Sequence, residues 1–196
     1  MTLESSTNSS LLDLRNYVQW YDDALSPEFC AQMLDAFRQM PQFQTPNGRG
    51  YHTALTDSAW IELNIQPHAD KAFLGFFHAQ IDRYLAAYNA RLPMLLPVPS
   101  RPTLEDLRIK RYQVEAGHGF QPHFDAGDKY ANRYMVFLWY LNDVAEGGET
   151  EFPDLGIKVQ PRAGRLLMFP PYWMFQHLAH KPISNDKYIV STFMLF

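Results

Sequence analysis

The sequence has little cysteine, no concentrated positive charge and no long apolar run. Cys30 is the only cysteine of the 196 residues, so no disulfide can form within the chain, which fits a reducing compartment. The net charge is -4 and no block of Lys and Arg stands out, which argues against a nucleic-acid backbone as the main partner. No stretch reaches 18 consecutive apolar residues, and Met1–Asn16 lacks the basic and apolar regions of a signal peptide. We therefore expect a cytoplasmic protein that engages neither nucleic acid nor membrane.

Apolar residues in the first half of the chain recur at a spacing that predicts two helices. Ser26 has the character of an N-cap and Pro27 of a first helical residue, and the apolar residues that follow them recur at helical spacing up to Pro41. A second helix is predicted from near Pro67 to about Asn89, where aromatic and aliphatic residues repeat every three or four positions. The turn-rich residues 42–60 are expected to connect the two helices.

From about residue 103 the pattern changes to short strands separated by turn residues. The predicted strands cover residues 107–112, 134–141, 156–159, 165–169 and 188–196. Helices followed by many short strands indicate an α+β fold, in which helices buttress a β-sandwich or barrel. We predict one domain over residues 1–196, with residues 1–102 as a helical support region and residues 103–196 as the catalytic β core.

A His-x-Asp pair, His123 and Asp125, is the first candidate for metal binding. On an extended strand, residues two apart point to the same face, so an imidazole and a carboxylate would converge. A third ligand can come from His177, or from its rival His180. Two histidines and one carboxylate on one side of an octahedron form the ligand set of non-heme Fe(II) oxygenases, with three positions left open.

Lys187 is the second candidate, because it stands ten residues after His177 at the head of an apolar stretch. A lysine in such a position either extends its ammonium group to solvent or forms a charge-assisted link to a buried carboxylate. The second interpretation suits 2-oxoglutarate, whose distal carboxylate needs a buried cation.

Taken in order, these motifs resemble the prolyl 4-hydroxylase-like family of Fe(II)- and 2-oxoglutarate-dependent oxygenases. The resemblance covers residues 108–196, and the Gly-Gly-Glu-Thr-x-Phe-Pro stretch is its most specific part. The matching pieces are Arg111-Tyr112, Gly119 to Asp125, Tyr140 to Asp143, Glu146 to Pro153, Pro161 to Phe169, and His177 with Lys187.

The resemblance implies a double-stranded β-helix, or jelly-roll, with the metal inside its mouth. It implies Fe(II), 2-oxoglutarate and O2 as cofactors and cosubstrates, and it allows stimulation by ascorbate. His123, Asp125 and His177 become the metal ligands and catalytic centre; His177 is preferred to His180 because only its spacing to Lys187 fits the family. The expected 2-oxoglutarate-binding residues are Lys187, Tyr112, Tyr140 and Ser191, although both tyrosines also suit core packing. Thr150 either lines this site or is an ordinary turn or β-strand residue, and the presence of Asp125 argues against a related halogenase.

The implied reaction is hydroxylation of an unactivated C–H bond with release of succinate and CO2. A prolyl residue in a peptide or protein is the first substrate class, and a free amino acid or small metabolite is the alternative. A cupin-like metal-binding module without oxygenase activity is a rival of another class, and the net negative charge disfavours a nucleic-acid demethylase.

Residues 42–60 and 126–133 are candidates for a lid or groove, and Asp128, Lys129, Asn132 and Arg133 are candidate substrate contacts. For free proline, Arg133 or Arg165 is the candidate partner of the carboxylate. The oligomeric state stays open.

Overall fold

The structure is a computed structural model that describes residues 13–92, 94–101 and 103–196. Most of the segment examined for a signal peptide therefore lies outside the described residues. Within the described ranges, no helix is both long enough and apolar enough to cross a membrane. The described chain contains two α-helices, eleven β-strands and several short 3-10 turns.

Both helices begin at a side-chain cap. Helix α1 (Pro27–Gln39) starts as predicted, with the Ser26 hydroxyl accepting a hydrogen bond from the Phe29 amide at 3.2 Å. Helix α2 (Lys71–Arg91) starts later than predicted, because the Asp70 carboxylate caps it by accepting from the Phe73 amide at 2.8 Å. The segment around Pro67 forms a separate 3-10 turn instead.

A seven-stranded antiparallel sheet forms the larger layer, in the strand order β1-β9-β6-β11-β4-β3-β2. The strands predicted after residue 103 are confirmed, but residues 42–60 are not merely a connector. They contain one strand and the start of the next, which pair with each other and extend the sheet. The strands of this sheet are β1 (Gln19–Tyr21), β2 (Gln44–Gly48), β3 (Ala59–Asn64), β4 (Arg108–Tyr112), β6 (Arg133–Tyr140), β9 (Leu166–Phe169) and β11 (Lys187–Leu195).

A smaller four-stranded sheet faces the first. Its order is β5-β10-β7-β8, and all its pairings are antiparallel. The strands are β5 (Phe120–His123), β7 (Thr150–Phe152), β8 (Ile157–Val159) and β10 (His177–Ala179). The two sheets together form the predicted double-stranded β-helix core.

Side chains alternate between the two faces of the larger sheet, as strand geometry requires. One face packs against the helices, for example where the rings of Trp139 and Phe77 meet at 5.1 Å between centroids. The other face packs against the smaller sheet, where Phe169 meets Phe152 at 4.9 Å. Residues 187, 189, 191 and 193 of β11 belong to this inner face and line a cavity between the sheets.

Candidate active site

Three candidate ligands meet at the end of the smaller sheet. His123 ends β5 and His177 begins β10, and the two are direct partners in the antiparallel register. Asp125 lies just beyond β5 rather than on it, and its backbone amide donates to the Pro171 carbonyl at 3.0 Å. The Nε2 atoms of His123 and His177 each lie 3.6 Å from an Asp125 carboxylate oxygen, and one ligand atom from each residue falls within 4.8 Å of the others.

Hydrogen bonds set the orientation of both imidazole rings. His123 Nδ1 lies 2.8 Å from the Gln121 carbonyl oxygen, and His177 Nδ1 lies 3.1 Å from the Phe175 carbonyl oxygen. Because a carbonyl only accepts, each Nδ1 must carry the proton and donate. Each Nε2 lone pair is then free to bind a metal, which is the usual arrangement around metal-binding histidines.

The electrostatics of the cluster also favour a cation. Burial and, to a lesser extent, the neighbouring His123 lower the pKa of His177 to about 4, so the ring is neutral at pH 7. Burial alone would raise the pKa of Asp125, but His177 and His123 outweigh it and hold the pKa below its usual value. Two neutral imidazoles and one carboxylate are the donor set expected for Fe(II), so the residues fit that metal.

His180, the rival ligand, is engaged elsewhere. Its Nε2 contacts the Glu151 carboxylate, and Lys158 Nζ lies 3.3 Å from the same carboxylate. His180 does not join the cluster around Asp125 within the described chain. The geometry therefore offers His177 rather than His180 as the third ligand.

Lys187 starts β11 and is only 1% exposed. Its ammonium donates to the Gly148 carbonyl at 2.7 Å and lies between the rings of Tyr112 and Tyr140, 5.3 and 5.4 Å from their centroids. In the described ranges no carboxylate comes within 4.0 Å of it. Burial lowers its pKa to about 7, with Glu149 opposing the shift. An anionic ligand would stabilise this cation.

The other expected cosubstrate residues fall into two groups. Tyr112 and Ser191 line the same cavity as Lys187. Tyr140 does not line it within the described chain; its hydroxyl donates to Thr150 Oγ1 at 2.8 Å, and Thr150 is the residue that faces the cavity. Tyr140 thus orients a lining residue.

The cavity has a volume of about 510 Å³ and holds both the histidine cluster and Lys187. Residues from both segments expected to flank a groove contribute to it, including His52 and Leu55 from one and Lys129 and Tyr130 from the other. The side chain of Asp128 lies outside the described residues. That these segments close as a lid stays a prediction.

The two arginines considered for a substrate carboxylate differ in position. Arg133 lines the cavity, but its guanidinium forms two hydrogen bonds to Glu105, at 2.7 and 2.8 Å. Arg165 does not line the cavity in the described structure and pairs with Asp22 at 2.6 Å. The proposed role of Arg165 is therefore wrong, because β1 and the turn after it bring Asp22 to its side chain.

Trp60, Glu62 and Lys110 are among the residues of the cavity wall that sequence reasoning missed. Lys110 had a usable signal: it stands two residues before Tyr112 on one strand, so it shares the face expected to bind 2-oxoglutarate. Trp60 and Glu62 had none, since Trp60 ends the predicted connector 42–60 and no strand was predicted over residues 59–64, where β3 lies.

Comparisons with known proteins agree with this geometry. Residues 107–195 match the family described as the 2OG-Fe(II) oxygenase superfamily. The chain is 38% identical over 72 residues to the prolyl 4-hydroxylase subunit alpha-1 of Gallus gallus, a stretch covering 32% of this chain and only 14% of that subunit. The match confirms the resemblance seen in the motifs.

Two solved structures are similar over most of the chain. A prolyl hydroxylase from Trichoplax adhaerens, in complex with a peptide fragment of the hypoxia inducible factor oxygen degradation domain, has a TM-score of 0.68 and 17% identity, covering 92% of this chain and 84% of that one. The viral collagen prolyl hydroxylase of Paramecium Bursaria Chlorella virus-1, in complex with 2-oxoglutarate, has a TM-score of 0.63 and 20% identity, covering 90% and 94%. Both likenesses confirm the fold.

Proposed function

Starting from the match of residues 107–195 to the 2OG-Fe(II) oxygenase superfamily, we propose that this chain is an Fe(II)- and 2-oxoglutarate-dependent hydroxylase. One observation carries the proposal: Lys187, a buried cation without a carboxylate partner in the described structure, lines the same cavity as the His123, Asp125 and His177 cluster. A metal-binding module without oxygenase activity would have no use for such a lysine.

Different residues would bind the metal, bind 2-oxoglutarate and line the cavity. His123, Asp125 and His177 would hold Fe(II), and Lys187 would bind the distal carboxylate of 2-oxoglutarate. When bound, the iron together with 2-oxoglutarate and O2 supplies the oxidising power that inserts one oxygen atom into a C–H bond, with release of succinate and CO2. The protein orients the reactants and excludes water: Tyr112 and Ser191 line the cavity beside Lys187, and Thr150 is held in place by Tyr140.

The substrate class that we propose is a prolyl residue in a peptide or protein. The support is the named activity of the similar proteins, including one solved with a peptide. Residues from both segments 42–60 and 126–133 line the cavity, and these segments are the candidate walls of a peptide groove. Oxidation of a free amino acid is the alternative, since Lys110 and Lys129 also line the cavity and each can meet a carboxylate.

Product analysis tests the proposal directly. The protein is incubated with Fe(II), 2-oxoglutarate and O2 and with either proline-containing peptides or free cyclic amino acids. We expect succinate, together with a peptide one oxygen atom heavier. Succinate formation with oxidation of free amino acids alone rejects the peptidyl substrate but keeps the reaction class. No succinate under any condition rejects the oxygenase, and the protein with Lys187→Ala serves as the matched negative control.

A cytoplasmic location is part of the same proposal. Its support is the single thiol, Cys30, which is 2% exposed and has no second cysteine to pair with. Fractionation of cells that produce the protein from its own gene, with immunodetection in each compartment, tests it.

A further inference from the structure

The inner face of β4 presents a second lysine to the cavity. Arg108, Lys110 and Tyr112 alternate with Ile109 and Arg111 along β4, and all three line the cavity. In the sheet, Lys110 lies directly opposite Glu62 of β3 on one side and Ile189 of β11 on the other. Glu62 is therefore the carboxylate nearest in register to the Lys110 ammonium.

Glu62 nevertheless directs both of its carboxylate oxygens elsewhere. Oε1 accepts from the Arg108 guanidinium at 2.6 Å, and Oε2 accepts from Trp60 Nε1 at 3.1 Å. Lys110 Nζ lies 5.5 Å from the centroid of the Trp60 ring and has neither a hydrogen bond nor an ion pair within the described part of the chain. The three N–H donors of the Lys110 ammonium thus have no acceptor among the described residues. Burial lowers the pKa of Lys110, with Glu62 opposing, so a bound anion would relieve a real desolvation cost.

Both arginines that line the cavity are already paired with carboxylates in the described structure. Arg108 is paired with Glu62, and Arg133 with Glu105. Under the function proposed above, Lys187 takes the distal carboxylate of 2-oxoglutarate and the metal takes the other end of that molecule. Neither interaction involves Lys110, so the Lys110 ammonium is available to bind the substrate.

We propose that Lys110 binds a carboxylate of the substrate and so restricts this enzyme to carboxylate-bearing prolyl compounds. The inference rests on the proposed function and adds the substrate class. The carboxylate has two possible sources: an Asp or Glu side chain next to the target proline in a peptide, or the α-carboxylate of a free amino acid. Arg108 and Glu62 act as positioning residues, because their ion pair keeps Glu62 away from Lys110.

Equilibrium binding in the absence of O2 separates these sources without relying on turnover. The protein is loaded with Mn(II) and 2-oxoglutarate and titrated calorimetrically with two acid–amide pairs. One pair is a proline peptide with a neighbouring Glu against the same peptide with Gln, and the other is free proline against prolinamide. We expect the acid member of one pair to bind about 10- to 100-fold more tightly than its amide, the range for one charge-assisted hydrogen bond.

Variants assign that preference to Lys110. Lys110→Gln should abolish the difference in affinity between each acid and its amide. Its affinity for 2-oxoglutarate should change by less than about twofold, whereas an equal loss of affinity for every ligand would indicate a general structural defect. Lys110→Arg should restore part of the preference, and Lys71→Gln on the exposed face of α2 is the matched control. Circular dichroism confirms that each variant is folded.

Three outcomes overturn the inference. The first is an acid–amide difference that is absent from both pairs in the unmodified protein, and the second is a difference that survives in Lys110→Gln. The third is a Lys110→Gln variant that loses affinity only for 2-oxoglutarate, which would place Lys110 on the cosubstrate. Substrate-independent formation of succinate, measured in parallel, reports on the oxygenase function itself, so that failure of one proposal is not mistaken for failure of the other.

Discussion

His123 and His177 are direct register partners on two antiparallel strands, and their ring centroids lie 4.3 Å apart. Residues 54 positions apart in the chain are thus held together by the backbone hydrogen bonds of the smaller sheet. The carbonyls of Gln121 and Phe175, each two residues before its histidine, then orient the rings in the same way. The two candidate ligands are presented by paired strands, which is what a defined metal geometry requires.

We predict that removal of any of the three clustered side chains abolishes metal binding. His123→Ala, Asp125→Ala and His177→Ala should each lower Fe(II) affinity by more than about 100-fold, beyond the effect usual for residues that only support a ligand. Metal content after anaerobic loading, measured by mass spectrometry of the metal, checks this. His180→Ala is the matched control, because His180 contacts Glu151 rather than the cluster. Retention of iron in His177→Ala with its loss in His180→Ala would show that the ligand set is misassigned.

Replacing the buried lysine should stabilise the ligand-free protein. Burial lowers the pKa of Lys187 from 10.5 to about 7, so at pH 7 and below the folded state holds a proton that it binds less well than the unfolded state does. Lys187→Met keeps an apolar chain of similar length and should raise the free energy of unfolding by on the order of 2–4 kcal/mol, since one pKa unit is about 1.4 kcal/mol. The same variant should lose 2-oxoglutarate binding.

Urea unfolding of the ligand-free protein measures the change. Lys158→Met is the control, since that lysine is half exposed and pairs with Glu151 at the surface, where about 1 kcal/mol or less is at stake. A Lys187→Met protein less stable than the parent would mean that the bond to Gly148 outweighs desolvation.

Affinity for 2-oxoglutarate should fall as the pH rises above 7. In the empty cavity the pKa of Lys187 is about 7, while a bound carboxylate favours the ammonium and raises that pKa. Binding above pH 7 therefore takes up a proton, and the dissociation constant should increase by about tenfold per pH unit until the pKa of the complex is reached. Below pH 7 Lys187 is already charged before 2-oxoglutarate binds, so its titration should no longer change the dissociation constant.

Calorimetric titrations between pH 6 and pH 9 (an interval of about two units above the expected pKa) test the slope. In Lys187→Arg the guanidinium stays charged throughout, so the slope should vanish even where the absolute affinity is weaker. A slope that persists in Lys187→Arg would assign the titration to another group.

A pair of glycines provides a test of the fold around the helix start. Gly164 and Gly156 both have positive φ, +79° and +64°, a conformation that costs an L-residue about 1–2 kcal/mol. A Cβ at Gly164 would lie 2.3 Å from the Leu25 carbonyl oxygen, whereas a Cβ at Gly156 meets nothing within 4 Å. Gly164→Ala should therefore cost clearly more than Gly156→Ala in urea unfolding. Equal losses in the free energy of unfolding would show that the backbone before helix α1 shifts at little energetic cost. There the Gly164 carbonyl accepts hydrogen bonds from the amides of Ala24 and Leu25.

Short sequence patterns were sufficient to predict several elements and candidate ligands of this protein. Helix α1 could be predicted because its cap, its first-turn proline and its apolar spacing lie within a few residues of one another, and β6 because residues 134–141 form a nearly continuous apolar run. The candidate ligands His123 and Asp125 were recognisable for a related reason: their chemistry is concentrated in a two-residue spacing. Lys187 was recognisable through its fixed distance from His177.

Long-range pairing decided the rest. Only the register of β10 against β5 places His177 beside His123, and only the chain path that brings Asp22 to Arg165 takes that arginine out of the site. Likewise, β3 had to join β4 before Glu62 could lie opposite Lys110 and still bond to Arg108. Sequence alone does not specify such pairings, because strand partners are chosen by the packing of whole faces and by loop closure rather than by the residues of one segment.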